Sequence, residues 1–446
     1  MTEPEDSTEE RPAPPYALPI ICLLAAAAGV VTGFVGGVFR WCLEWADGRR
    51  LHLTEWTHDL PGPGWLIPAG ITALCAALAA MIVRHVPLAS GSGIQHVEAV
   101  ARRQADPPPF AILPAKFVGG LLAIGSGLVL GREGPIVHMG AAVGAEAGRR
   151  ARMSIEDVRL LQSSVAGAGL AVAFGAPVAG ALFALEEVTH TLRLRMVVPT
   201  MFAVATGVGC SRLVIGDLPD FATDQVRSQP LALLPLFVVF GLFTGLFGAA
   251  YNRMIMSSLR VVDSIRSLPP VVKAAVIGGA VGMAGSAAPW AAGGGDALVQ
   301  HIVAGSTLAL PVVALYVLVR FVAGPVSYTA GTPGGLFAPM LALGALWGVL
   351  FAGLCAALIP GVDSSITVPM ALVGMATLFG ASVRAPLTGV VLIMEMTAVT
   401  SVAVPMLVAT ACAVVVTEAV GSVPIYDSLR TRMLESFESG PRAEGR

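Results

Sequence analysis

Long apolar segments recur along almost the whole chain, and they limit the possible folds more than any other feature. A helix that crosses a bilayer needs about 20 apolar residues. Four segments approach or exceed that length: 17–39, 65–83, 231–251 and 404–420. Charged residues make up only 13% of the chain, whereas soluble globular proteins carry about 25%. The sequence therefore predicts an all-α polytopic protein of the cell membrane (inner or plasma membrane).

Composition excludes several classes of function. The net charge is -2, and no basic patch with interleaved aromatic residues is present, so no nucleic-acid partner is expected. The six cysteines are scattered without a CxxC pair, and the seven histidines form no HxxxH pattern. We therefore expect no metal site and no cofactor. The acidic, proline-rich segment 1–16 lacks the basic start of a signal peptide and is expected to be a disordered tail, and 438–446 is expected to form a C-terminal tail.

The chain contains an internal duplication. KFVGG at 116–120 aligns with RFVAG at 320–324, which lies 204 positions later, and APVAG at 176–180 aligns with APLTG at 385–389, at an offset of 209. At these offsets further identical residues coincide: Gly91 with Gly295, Gly131 with Gly335, Pro135 with Pro339, Gly140 with Gly344, and Glu186 with Glu395. A string of matches in one order indicates two related halves. We predict membrane repeats at 17–215 and 231–437, joined by a linker at 216–230.

The two halves are inverted relative to each other if each contains an odd number of spans. Several apolar runs, near 134–147 and 385–395, are too short to span a bilayer and are broken by Gly and Pro. Short, broken segments at matching positions of two halves are typical of transporter binding sites. Lys and Arg favour the cytoplasmic side, which places there the clusters at 102–103, 149–152, 193–195 and 430–432.

Four of the broken stretches have the same local pattern, in which Gly precedes a helical run and most include Pro: GSGIQ (91–95), GREGP (131–135), GGLFAP (334–339) and GSVPI (421–425). Pro favours the first helical position, and Gly allows the chain to bend as it enters the helix. A helix N-terminus has free N–H groups and a partial positive charge. Several such ends meeting inside a membrane predict a site for a small anion.

The order and spacing of these four stretches resemble the CLC family of chloride channels and transporters, over about residues 17–437. The resemblance implies the CLC fold, with two inverted-topology repeats, many broken or re-entrant helices and a homodimeric assembly. It implies that chloride (and bromide) is bound by the hydroxyls of Ser92 and Tyr426 and by the backbone N–H groups of Leu336 and Phe337. It also implies that Glu133 is the gate, a carboxylate that competes with chloride and leaves when protonated.

Three neighbours of the gate are expected to support it. Gly134 belongs to the same motif. Arg132 either satisfies buried carbonyl groups or attracts the anion at the outer mouth. Lys116 either raises the local electrostatic potential or only binds helix ends.

The family contains passive channels and proton-coupled exchangers. Exchangers tend to carry a second glutamate near the cytoplasm, where channels usually have valine, and Glu187 matches that position. The resemblance therefore favours H⁺/Cl⁻ antiport with Glu187 as the internal proton-transfer site; a passive, gated chloride channel is the alternative. In that case Glu187 would be a solvated acid paired with Arg193 or Arg195. Glu186 matches Glu395 in the repeat, which indicates a structural role.

Two departures from the family pattern and one rival function remain. Gln95 replaces the usual proline, and His138 replaces a frequent glutamine. His138 is either a satisfied polar residue or a group that titrates near neutral pH; an unchanged pH profile in His138→Gln would contradict the second.

An intramembrane serine hydrolase built on Ser92 would need His96 or His301 as a base. The pattern otherwise indicates a transport protein rather than an enzyme.

Overall fold

The computed structural model describes residues 16–221, 223, 226, 228–306 and 308–439. The tails expected at 1–16 and 438–446 lie outside these residues, apart from Tyr16 and the end of the last helix. Within the described residues the chain is helical, with α1–α8 in its first half. These helices are α1 (Leu18–His58), α2 (Leu66–His85), α3 (Ile94–Ala101), α4 (Ile112–Gly125), α5 (Glu133–Arg150), α6 (Ile155–Phe174), α7 (Pro177–Phe183) and α8 (Leu194–Ile215).

The second half repeats this order of long and short helices and ends with one additional helix. Its members are α9 (Leu234–Ser264), α10 (Pro270–Ala287), α11 (Asp296–Val303), α12 (Leu310–Tyr328), α13 (Phe337–Leu358), α14 (Thr367–Val383), α15 (Pro386–Thr397), α16 (Ala403–Ala419) and α17 (Ile425–Ser439). Each of α1–α8 has its counterpart in α9–α16, and α8 ends just before the predicted linker. Eight of the described helices are long and apolar enough to cross a membrane, so the prediction of a polytopic all-α protein is confirmed.

Two backbone hydrogen bonds join equivalent positions of the two halves. Gly131 N–H donates to Gly335 O at 2.9 Å, and Gly335 N–H donates to Gly131 O at 2.7 Å. The two glycines are equivalent positions of the duplication, and their bridge is antiparallel. Inverted repeats bring equivalent residues together with their backbones running in opposite directions, as is observed here.

Close helix crossings hold each half together. A Cβ at Gly140 of α5 would lie 2.7 Å from Val165 O of α6. A Cβ at the equivalent Gly344 of α13 would lie 2.4 Å from Gly374 O of α14. Small residues allow helix backbones to approach this closely in membranes, so both repeats use the same crossing to position α5 and α13.

Two expectations about helix ends were wrong. α1 extends to His58 rather than ending near Phe39, because its last turns are polar and hydropathy does not detect them. The helices α5 and α13 begin at Glu133 and Phe337, so Pro135 and Pro339 are third rather than first helical residues. Both prolines still lie in the first turn, where an N–H has no partner within the helix.

The counterpart of Gly295 was also misassigned. Gly93 and Gly295 both precede a short helix, with φ of 88° and 105°. Gly93, rather than Gly91, is therefore the structural equivalent of Gly295. The offset between the repeats is 202 at this point, which shows that the alignment shifts by two residues near the short helices.

Candidate functional site

The loops that lead into α3, α5 and α13 meet in the interior of the protein. Gly91 N–H donates to Thr332 O at 3.2 Å, and Gly334 N–H donates to Gly91 O at 3.1 Å. Together with the bridge between Gly131 and Gly335, these bonds tie the entrances of the three helices to one another. The predicted convergence of helix N-termini is confirmed for these three.

Two glycines make this approach possible. A Cβ at Gly134 would lie 2.4 Å from the Ser92 hydroxyl oxygen, and a Cβ at Gly93 would lie 2.2 Å from His138 Nδ1. Gly93 also has a φ of 88°, in the left-handed region that favours glycine. Gly134 therefore allows Ser92 to contact the start of α5.

The Glu133 carboxylate lies on the N-terminus of α13. Its Oε1 accepts a hydrogen bond from Phe337 N–H at 2.7 Å, and the residue is fully buried. Leu336 is the residue immediately before α13. The carboxylate therefore accepts a hydrogen bond from one of the N–H groups that are expected to bind the anion. It takes the place that a free anion would have.

Buried hydroxyl groups surround this helix end. Ser92 Oγ, Tyr426 Oη and Thr332 Oγ1 are buried and have no hydrogen-bond partner within the described part of the chain, and the same is true of Glu133 Oε2. The Tyr426 ring packs edge-on against Phe337, with ring centroids 5.5 Å apart. Buried polar groups usually have partners, so these hydroxyls are suited to donate to an anion.

Tyr328 is a member of the site that the sequence did not reveal. Its hydroxyl oxygen accepts a hydrogen bond from Ser92 N–H at 3.3 Å, and so it helps to position Ser92, whose own hydroxyl is expected to bind the anion. Tyr328 ends α12 and lies in no recognisable motif. A buried polar tip at the end of an apolar helix was the only available signal.

Lys116 holds the loop before α3. Its Nζ donates to Gly91 O at 2.6 Å and to Ser92 O at 3.1 Å. Arg320, its equivalent in the second repeat, donates from Nη2 to Gly294 O at 2.6 Å and to Gly293 O at 3.2 Å. Both cations thus bind the carbonyl groups at the entrance of a short helix, as one of the two alternatives for Lys116 predicted.

Arg132 is surrounded by acids more than by carbonyl groups. Its Nε donates to Ala173 O at 3.1 Å, and its Nη2 donates to Asp220 Oδ2 at 2.9 Å. Asp296 and Glu44 lie 3.7 Å and 3.9 Å from its Nη1. These carboxylates offset the charge of Arg132. Asp220, in the linker between the repeats, was not identified from the sequence.

Glu187 is buried. It lies in a π-helical turn after α7, with 6% of its surface exposed, and this turn packs against α3, the helix that carries Glu98. Arg195 pairs instead with Asp157 at 2.6 Å. The alternative of a solvated Glu187 paired with Arg195 is therefore wrong, and no ion pair joins Glu187 to Arg193 among the residues described.

Glu98 belongs with Glu187, Asp427, Arg102 and Arg430 to a group that we call the inner cluster, and no role was predicted for it. Arg430 Nη1 donates to Glu98 Oε2 at 3.1 Å and lies 2.6 Å from Asp427 Oδ1. Arg102 lies 3.2 Å from the same Asp427 oxygen. An acid in the middle of the short apolar helix α3 was the signal that could have identified it.

His190 follows this cluster, outside the membrane-spanning helices. Its partial burial, and after that the charge of Arg102, lower the pKa of this imidazole. The two side chains are in contact, with His190 Nε2 2.9 Å from Arg102 Nη2. A neutral imidazole can accept a hydrogen bond from this guanidinium, so His190 helps to hold Arg102 beside Asp427.

His138 contacts another histidine rather than Ser92. Its Nε2 lies 3.1 Å from His96 Nδ1, and both side chains are buried. His301 packs against Trp290, with ring centroids 4.1 Å apart. In the described residues no hydrogen bond joins Ser92 Oγ to either candidate base, so the geometry does not form the pair that a serine hydrolase needs.

Comparison with known proteins agrees with this geometry. The family model for voltage gated chloride channels matches residues 75–418. The H⁺/Cl⁻ exchange transporter ClcA of Vibrio parahaemolyticus is 35% identical over 429 residues, covering 93% of this chain and 90% of that protein. The ClcA of Cronobacter sakazakii is 34% identical over 433 residues, covering 95% and 92%.

Solved structures give the same result. The crystal structure of a slow cyanobacterial Cl⁻/H⁺ antiporter superimposes with a TM-score of 0.88 at 31% identity, covering 94% of this chain and 99% of that one. The family match extends over most of the chain and includes α3, α5 and α13. The chain therefore belongs to the voltage-gated chloride channel (CLC) family.

Proposed function

We propose that this protein exchanges chloride for protons across the membrane. The observation that carries the proposal is the Glu133 carboxylate on the N-terminus of α13, where Phe337 N–H donates to it at 2.7 Å. The similarity to proteins named H⁺/Cl⁻ exchange transporters supports exchange over passive conduction.

Glu133 links the two ions by competition. When ionised, its carboxylate accepts the N–H of Phe337 and excludes a chloride ion from that donor. When protonated, it loses the charge that the helix end stabilises, and chloride takes the N–H in its place. Each release of Glu133 from the helix end therefore couples the uptake of a proton to the entry of an anion.

Ser92 and Tyr426 provide the rest of the proposed chloride site. Both hydroxyls are buried and have no partner within the described chain, and together with Leu336 and Phe337 N–H they form an uncharged donor set. Without a full positive charge, a halide is bound weakly enough to leave again. Chloride, and bromide by the same chemistry, suits these donors.

Glu187 is proposed to transfer protons on the inner side. Two buried carboxylates that lie close together repel each other. Glu187, buried beside Glu98, is therefore suited to take up and release a proton. Arg430 pairs with Glu98, whereas no arginine pairs with Glu187 among the residues that the structure describes. The basic clusters lie on this side, which we assign to the cytoplasm.

A homodimer remains a prediction. The face formed by α7, α8, α15 and α16 carries exposed apolar side chains that suit either lipid or a second copy of the chain, among them Val178, Met201, Leu387 and Val404.

Glu133→Gln tests the coupling in proteoliposomes. Glutamine matches the shape of the protonated gate but carries no exchangeable charge, so we expect chloride flux to persist and proton flux to stop. Glu55→Gln, which removes an exposed carboxylate of α1 away from the site, is the matched control and should keep both fluxes. Proton flux that persists in Glu133→Gln would contradict the role of Glu133.

A further inference from the structure

A groove on the outer surface of α1 has no part in the proposed ion pathway. It lies between α1, α2 and α4 and encloses a cavity of about 670 Å³. Its wall is almost entirely apolar and includes Trp41, Trp45, Ile71 and Leu121, with Arg49 and Arg50 at its end. We call it the α1–α2–α4 groove.

The groove lies at the membrane interface opposite the basic clusters. Tyr16, just before α1, donates from its hydroxyl to Ala151 O beside one of those clusters, so α1 begins on that side. Trp41 is 23 residues from Leu18, roughly 35 Å along a helix, which is about the thickness of the hydrocarbon core. Trp41 and Trp45 are 56% and 58% exposed, as expected of indoles in an interfacial belt.

Arg49 is a cation at this interface that has no acidic partner among the described residues. Arg50 pairs with Asp47 at 3.0 Å. The Arg49 guanidinium instead lies over the Trp45 ring, 5.3 Å from its centroid, and no ion pair involves it within the described chain. A cation held on an indole one turn along the same helix, at the headgroup end of an apolar groove, is complementary to an amphiphile with an anionic head.

We propose that the α1–α2–α4 groove binds an anionic phospholipid of the bilayer. An acyl chain lies along Ile71 and Leu121, and the phosphate contacts Arg49 above Trp45. A zwitterionic lipid fills the same apolar wall but offers Arg49 no net charge. The selectivity between the two therefore depends on Arg49.

The two indoles report on the lipid directly. The protein is reconstituted in phosphatidylcholine with increasing fractions of brominated phosphatidylglycerol, and tryptophan quenching is compared with that by brominated phosphatidylcholine. The difference between wild type and Trp41→Phe/Trp45→Phe isolates the groove from the other four tryptophans. We expect the groove to prefer phosphatidylglycerol by about fivefold, the effect of one cation at a charged lipid surface.

Variants identify the charge. Arg49→Gln should remove the preference, and Arg49→Glu should reverse it towards phosphatidylcholine. Arg84→Gln, which removes one cation at the opposite end of α2, should leave it unchanged. Chloride flux of each variant, measured in phosphatidylcholine, shows that it is folded.

Two results would overturn the proposal. Equal quenching by the two brominated lipids would mean that the groove has no preference for an anionic head. Absence of quenching of Trp41 and Trp45 by either lipid would mean that protein, such as a second subunit, covers the groove.

Discussion

Glu186 of the first repeat caps α15 of the second repeat, and Glu395 of the second repeat caps α7 of the first. Glu186 Oε2 accepts the N–H of Thr388 at 2.7 Å, at the start of α15. Glu395 Oε2 accepts the N–H of Ala179 at 2.8 Å, at the start of α7. The two glutamates are equivalent in the duplication, so one interaction is formed twice and joins the halves.

These caps predict that substitutions of Glu186 affect stability, whereas substitutions of its neighbour Glu187 affect proton transport. Because an acid at a helix N-terminus satisfies free N–H groups, Glu186→Ala should lower the free energy of unfolding by about 1–2 kcal/mol. Thermal unfolding in detergent measures this, and Glu395→Ala should have a similar effect. Proton coupling should remain in the folded fraction. Loss of coupling with unchanged stability would contradict the structural role of Glu186.

The two hydroxyls should each contribute to chloride affinity. Ser92→Ala and Tyr426→Phe remove donors to a charged ligand, which are worth about 1.5–3 kcal/mol each, so chloride should bind at least about tenfold more weakly. Isothermal titration calorimetry with chloride measures the effect.

Tyr328→Phe is the control for this pair, since its hydroxyl accepts from Ser92 N–H rather than facing the anion. Its effect on affinity should be smaller than that of either substitution. Equal effects of all three variants would indicate a general loss of packing.

Gly134→Ala should damage the anion site through steric overlap. The new methyl group would lie 2.4 Å from the Ser92 hydroxyl oxygen, so the start of α5 must move away from Ser92, at a cost of about 1–3 kcal/mol. We expect lower stability and weaker chloride binding. Gly70→Ala in α2 is the control, because a Cβ there has nothing within 4 Å; a comparable loss in both would contradict the steric explanation.

The inner cluster predicts different results for Glu187 and for the ion pair of Glu98 with Arg430. Glu187→Gln should abolish proton flux while chloride flux continues. Arg430→Gln leaves Glu98 buried without its ion-pair partner, which is strongly destabilising, so it should reduce stability as well as coupling. Combining Glu98→Gln with Arg430→Gln should recover much of the stability. A double variant that is no more stable than Arg430→Gln would contradict the pairing of Glu98 with Arg430.

Much of the fold could be predicted from the sequence, because the same order of motifs occurs in both halves of the chain. Gly131 and Gly335 occupy the same place in both copies, although their pairing with each other was not predicted. The four motifs predicted converging helix ends, and three of these ends are joined by backbone hydrogen bonds. Hydropathy did not reveal the polar end of α1, because a helix that leaves the bilayer no longer needs apolar residues.

The missed site residues share a physical cause. Glu98, Asp220 and Tyr328 act through partners far along the chain, such as Arg430 for Glu98 and Arg132 for Asp220. A tertiary ion pair leaves no periodicity or spacing in the sequence, whereas a helix start does. The assignment of Glu133 and Glu187 to gate and proton transfer depends on the family resemblance and stays a prediction.

Uphill proton movement tests the central claim most directly. The purified protein is placed in liposomes under a chloride gradient, with the membrane potential clamped at zero, and the external pH is recorded. Exchange predicts that chloride moving down its gradient drives protons the opposite way against theirs, and that Glu133→Ala and Glu187→Gln both stop this movement. Chloride flux without any proton movement in the wild type would contradict exchange and make the protein a passive channel.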